Sequence, residues 1–174
     1  EKSWNKAIEN FNNKNYTEAE NILNSIIEKY PTSEFVGKSK EKIAEIYWNR
    51  AIEKFDSKNY AEAANILNSI IEKYPTSGFA EKSKEKIAEI YWNIAMEKFN
   101  NKDYIETENI LNNIIETYPT SNFAEKSKKA LQELQIAKMK SKAQDVINAK
   151  KRRKSEIMNG STTMLQVITE TIGN

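Results

Sequence analysis

The chain has 174 residues, carries 27 Lys and Arg against 25 Asp and Glu, and contains neither Cys nor His. That length suits one domain or one array of small repeats with a buried core, and six Phe, eight Tyr and three Trp argue against wholesale disorder. Without Cys or His there is no thiolate nucleophile, disulfide, Ser-His-Asp triad or zinc site of the usual ligand set, and four scattered glycines cannot build a phosphate-cradling loop.

No apolar run approaches the roughly 18 residues that span a bilayer. The sequence opens at Glu1 without a signal segment, which suggests a processed or recombinant piece. Residues Glu1, Lys2 and Ser3 stand where a later copy of the same pattern has Glu45, Ile46 and Tyr47. Two core positions are thus polar at this end, as expected of a shortened first helix or of a segment boundary.

From Trp4 the chain repeats itself. Residues 4–47, 48–91 and 92–135 are three copies with a period of 44, the third diverging after Lys128. A fixed period between about 20 and 50 residues predicts a stacked solenoid in which each unit buries its apolar face against its neighbours. Each copy holds two helical patterns. Phe79, Ala80, Ser83, Ile87, Ile90, Tyr91, Ala95 and Phe99 recur at steps of three and four, predicting a helix of about seven turns. Tyr60, Ala63, Ile66, Leu67, Ile70, Ile71 and Tyr74 predict a shorter one of about four turns. The short helices should start at Asn15, Asn59 and Asp103, each three residues before a Glu in a capping-box pattern. They should end at Pro31, Pro75 and Pro119, since Pro cannot continue a helix and restricts the residue before it. The Thr or Ser that follows caps the next long helix.

The unit of aromatic–Ala–apolar–aromatic (Trp48, Ala51, Ile52, Phe55), then Asn59 to Ala63, then Leu67, Ile71 and Tyr74-Pro75 resembles the tetratricopeptide repeat (TPR). Its Tyr-Pro-Thr-Ser-x-Phe ending looks like the branch found in bacterial envelope proteins. These include the TPR lipoprotein of outer-membrane β-barrel assembly and the periplasmic coordinator of the Tol–Pal system. The resemblance implies an all-α, right-handed helix-turn-helix solenoid in residues 1–135 that binds a protein or peptide in the groove of its first helices. It also implies a periplasmic or surface location, with the cytoplasm as the alternative. The period exceeds that family's, and the excess fits two whole turns added to the first helix, which leave its buried face unrotated.

Residues 136–174 form a C-terminal helical extension. Ala130, Leu131, Leu134, Ile136, Met139, Ala143, Val146 and Ile147 continue a helical stripe with no short helix after it, expected to cap the array or, alternatively, to serve as an exposed docking helix. Residues 138–174 hold eight basic and three acidic side chains, five of the basic ones consecutive: Lys150, Lys151, Arg152, Arg153 and Lys154. This basic hinge could be a solvated helix end, or could meet an anionic membrane or an acidic protein. Nucleic acid is disfavoured, because no aromatics are interleaved for base stacking. After a break at Asn159-Gly160, Met164, Leu165, Ile168 and Ile172 share one helical face, suited to docking on the array or on a neighbouring copy.

Candidate chemistry is sparse. Glu41 with Glu45 and Glu85 with Glu89 are helix-spaced carboxylates on polar stripes, and no calcium loop with its Gly and distal Glu occurs. Ser39, Ser83 and Ser127 fall on the buried stripe and are expected as small packing residues. No catalytic, cofactor or metal site is assigned. Lysines at 38, 40 and 42, at 82, 84 and 86, and at 126, 128 and 129 should form a ladder, either solvated or a track for an acidic polymer. In the groove the expected partner-binding residues are Asn49, Arg50, Glu53, Asn93, Ile94, Glu97 and Ile105. Ile94 replaces Arg50 and Ile105 replaces Ala61, apolar gains that suggest contact with something non-repetitive. The function expected is a non-catalytic scaffold binding another protein. The alternatives are a self-assembling ring or filament subunit joined through its tail, and an adaptor to anionic membrane or nucleic acid.

Overall fold

Proline, serine and asparagine cut the chain into helices. The computed structural model describes the backbone of residues 1–172 and every side chain among them except 160, 162–164, 166 and 169–172. The described elements are α1 (Lys2–Asn12), α2 (Tyr16–Lys29), α3 (Phe35–Asp56), α4 (Tyr60–Lys73), α5 (Gly78–Asn100), α6 (Tyr104–Thr117) and α7 (Asn122–Ile172), with no strand among them. The short helices α2, α4 and α6 have 14 residues each, whereas α3 and α5 have 22 and 23. The 44-residue period is therefore a long and a short helix with their turns, the all-α repeat solenoid.

Local chemistry sets the boundaries. Ser33, Ser77 and Ser121 accept the N–H groups of Phe35, Phe79 and Phe123 at 3.2, 3.1 and 3.0 Å, starting the long helices. Asn59 and Asp103 accept the N–H of Glu62 and Glu106 at 3.4 and 3.3 Å. Asn15 departs from this: its side chain donates to Asn10 at 3.5 Å and makes no cap bond. Tyr30, Tyr74 and Tyr118 close the short helices at φ near −130° and ψ near 55°, outside the helical region that a following Pro disfavours. One turn was invisible in the sequence. Lys14, Lys58 and Lys102 end the first helices with φ of 59°, 60° and 62°. The Lys14 N–H bonds the Phe11 carbonyl and the Asn15 N–H the Asn10 carbonyl, both at 2.9 Å, a pattern usually built on glycine.

The structure divides into two units, Glu1–Lys129 and Ala130–Asn174. Within the first, each helix packs on its neighbours in the chain. In addition α1 touches α3 and α3 touches α5, whereas α2, α4 and α6 do not touch one another. The odd-numbered helices therefore form a continuous layer and the even-numbered ones a spaced layer, so the odd layer is the inner wall. Its core repeats with the sequence: Leu23, Leu67 and Leu111, and Ile70 and Ile114, are fully buried, with Ile26 nearly so.

The second unit consists of the remainder of α7. The helix runs through Asn159 and Gly160 without a stop, so the expected break and hinge are absent. One helical glycine costs only about 1 kcal/mol relative to Ala, and the helix continues although Asn159, Ser161, Thr162 and Thr163 beside it are weak helix formers. The expected capping stripe also changes character along its length. Leu134 is 1% exposed, but Ile136, Met139, Val146 and Ile147 are 53%, 67%, 50% and 46% exposed. Among the described residues no short helix follows them to cover that face as α4 follows α3. Among the described residues, no helix is long and apolar enough to cross a membrane.

Candidate functional site

Aromatic rings join the odd helices into a wall. Trp4 meets Phe35, Trp48 meets Phe79 and Trp92 meets Phe123 at centroid distances of 5.7, 6.0 and 6.2 Å. Two turns further, Lys42 lies over the Phe11 ring and Lys86 over Phe55, both at 4.4 Å. Each of these ammonium groups also pairs with a carboxylate of its own helix, Glu45 or Glu89, at 2.6 Å. The half-buried Ile8, Ile52 and Met96 lie one turn from the tryptophans on the same helical face. A surface cavity of about 540 Å³ opens over Trp4, Asn5, Ile8, Glu9, Asn12 and Asn13. Helical periodicity alone cannot tell a buried stripe from one shared between core and wall.

Three of the expected groove residues pack against neighbouring elements. Arg50 donates to Glu20 at 2.7 Å and to Thr17 at 3.4 Å, and Asn49 donates to the Tyr16 hydroxyl at 3.4 Å. Both therefore bridge α3 to α2. Ile94 is half-buried and packs on the cluster that contains Ala63 and Leu67; its apolar character serves the interior. Ala64 occupies the position of Glu20 one repeat earlier, so the ion pair of the first junction gives way at the second to two apolar residues packed against that cluster. Glu53 and Glu97 are exposed and Asn93 is half-buried. Ile105 is 74% exposed on α6, away from the odd-helix wall.

Glu20 also accepts the Tyr47 hydroxyl at 2.7 Å. Burial first, then this bond and the Glu20 charge, push the Tyr47 phenol up to about 12. Tyr74 meets the Tyr47 ring edge-on at 6.1 Å and is raised by burial and by Glu20. At the start of the array Ser3 and Lys2 replace Tyr47 and Ile46. Tyr30, the counterpart of Tyr74, is left 59% exposed beside a cavity of about 580 Å³ that Trp4, Ile26 and Phe35 also line.

The lysine ladder is largely neutralised. Besides Lys42 and Lys86, Lys38 pairs with Glu34 at 3.6 Å and Lys84 with Glu81 at 2.6 Å. Lys128 pairs with Glu125, and that bond holds the Glu125 carboxyl below its ordinary range. Lys38, Lys82 and Lys126 lie over Phe35, Phe79 and Phe123. Ser39, Ser83 and Ser127 are 0% exposed; a sealed hydroxyl cannot meet a substrate, and packing is its role.

In the second unit Lys150, Lys151, Arg152, Arg153 and Lys154 are all exposed. Among the described residues none of them forms an ion pair. Of the tail residues, Leu165 and Ile168 are 66% and 50% exposed, while the side chains of Met164 and Ile172 lie outside the described residues.

The tetratricopeptide repeat family model matches residues 5–33 and 41–77. These segments cover most of α1 and all of α2, then most of α3 and all of α4, and the match supports a TPR protein; such repeats are generally non-catalytic modules for protein–protein interaction. No curated protein matches the sequence.

Proposed function

We propose that this chain is a non-catalytic scaffold that holds a segment of another protein against the wall formed by α1, α3 and α5. The observation that carries this reading is the repeated triplet of aromatic ring, lysine and glutamate across adjacent odd helices, with Phe11, Lys42 and Glu45 recurring as Phe55, Lys86 and Glu89. Such a surface offers apolar ring and Ile or Met area next to charges already fixed in place, so little side-chain entropy is lost when a peptide binds. The Tyr-Pro-Thr-Ser-x-Phe ending leads us to place this role in a bacterial cell envelope. A photo-crosslinking residue at Ile52 or Met96 in the cell of origin should give discrete adducts with one protein. The same residue at Asn68, exposed on α4, should give none. Adducts at all three positions, or none at any, would remove the wall as the binding surface.

A second reading, self-assembly through the tail, draws on the exposure of Leu165 and Ile168. Light scattering on the whole chain and on a version ending at Gln135 tests it. Mass that rises with concentration only in the whole chain supports it, and monomers in both forms end it. An adaptor role through residues 150–154 would appear as salt-sensitive binding to anionic vesicles or DNA.

A further inference from the structure

We infer that α7 between Ile136 and Ile157 is a docking face for an amphipathic helix of a second protein whose polar flanks are acidic. Ile136, Met139, Ala143, Val146, Lys150, Arg153 and Ile157 are spaced alternately by three and four residues. This is the a and d seam of a coiled coil. Five of the seven are apolar, and Ile136, Met139, Val146 and Ile157 are each at least half exposed. About 22 residues of helix carry the seam, some 33 Å at 1.5 Å per residue.

The repeat plan indicates what fits there. One or two periods earlier, Ile136 corresponds to Trp48 and Trp92, Met139 to Ala51 and Ala95, and Ala143 to Phe55 and Phe99. In α3 and α5 this half of the long helix is packed by the short helix that follows it, α4 or α6. After this half of α7 the chain continues as helix, so among the described residues no short helix covers it.

Charge selects the occupant. Lys150 and Arg153 lie in the seam, Lys140, Lys142 and Lys154 flank it, and Glu156 is the one acidic flank between 136 and 157. Among the described residues these five cations have no ion-pair partner, unlike most of the ladder lysines of the first unit. A second copy of the same stretch would set Lys150 against Lys150 if parallel, and against Arg153 if antiparallel about that layer. Like charges facing one another in a seam oppose pairing. An acidic helix relieves every one of these contacts.

The test uses the full chain and two synthetic four-heptad peptides with Leu at a and d, one with Glu and the other with Lys at e and g. Fluorescence anisotropy should show binding of the Glu peptide, weakened by added salt, and none of the Lys peptide. Met139→Glu and Val146→Glu, both at exposed positions, should each weaken binding by roughly tenfold or more with unchanged helical circular dichroism. The double variant Lys150→Glu, Arg153→Glu, which leaves Lys140, Lys142 and Lys154 on the flanks, should remove most of the preference for the Glu peptide. Equal binding of both peptides, or affinity unaffected by Val146→Glu, overturns the inference. So does anionic lipid or DNA binding with no peptide binding, or a self-association that the Glu peptide fails to compete away.

Discussion

Ser83 shows how a single atom bears on stability. Its Oγ is fully buried and has no hydrogen-bond partner, as is also true of Ser39 and Ser127. A buried unsatisfied hydroxyl is unfavourable, so Ser83→Ala should stabilise the fold by about 1–2 kcal/mol and raise the thermal midpoint. A lower midpoint would mean that the hydroxyl is satisfied in solution. Tyr47 makes a second residue-level prediction. In the folded chain its phenol stays protonated to about pH 12, against an ordinary value of 10.0. Between those values the unfolded chain holds fewer protons than the folded one, so stability falls as pH rises from 10 towards 12. Tyr74 and Tyr118, both raised, act in the same direction. Denaturant midpoints measured across that range should fall less steeply in Tyr47→Phe; an unchanged slope would exclude Tyr47 as a cause. The serines could be placed from sequence because they sit in a stripe of period 3.6. The left-handed Lys14, Lys58 and Lys102 could not, because the usual sign of that conformation is glycine or asparagine.

At the scale of elements, the helix junctions are tuned repeat by repeat. Glu20 on α2 and Arg50 on α3 form an ion pair whose side chains are 17% and 30% exposed. Ala64 and Ile94 stand at the same two positions one repeat later. Arg50→Ile alone strands a largely buried carboxylate and should cost about 1–2 kcal/mol. Adding Glu20→Ala copies the later junction and should recover most of that loss, since apolar replacements of buried ion pairs are often neutral. A double-mutant cycle measures the coupling; additive losses would show that the two junctions are not interchangeable. The substitution of Ile94 for Arg50 was visible in the sequence, but its meaning was not, because the partner lies 30 residues away on another helix. Helix ends were read correctly where proline or a serine cap enforces them. The stop expected at Asn159-Gly160 is absent: without a proline every backbone donor stays in place, and an Asn-Gly pair raises the cost of helix without forbidding it.

Across the first unit, stability should be distributed rather than shared equally. Each helix packs on its chain neighbours, with only the odd helices reaching one further, so a defect has few routes to distant repeats. Leu111 is fully buried in α6, and Leu111→Ala should cost about 2.7–5 kcal/mol. Native-state hydrogen exchange should then quicken mainly in α5 and α6 and leave α1 and α2 close to wild type. The same truncation at Leu67 strikes α4, which packs on both α3 and α5, and should loosen a wider span. If Leu111→Ala instead speeds exchange equally from α1 to α6, the unit unfolds as one block. Its odd-helix layer, through the Trp–Phe contacts, would then couple the repeats more strongly than neighbour packing allows.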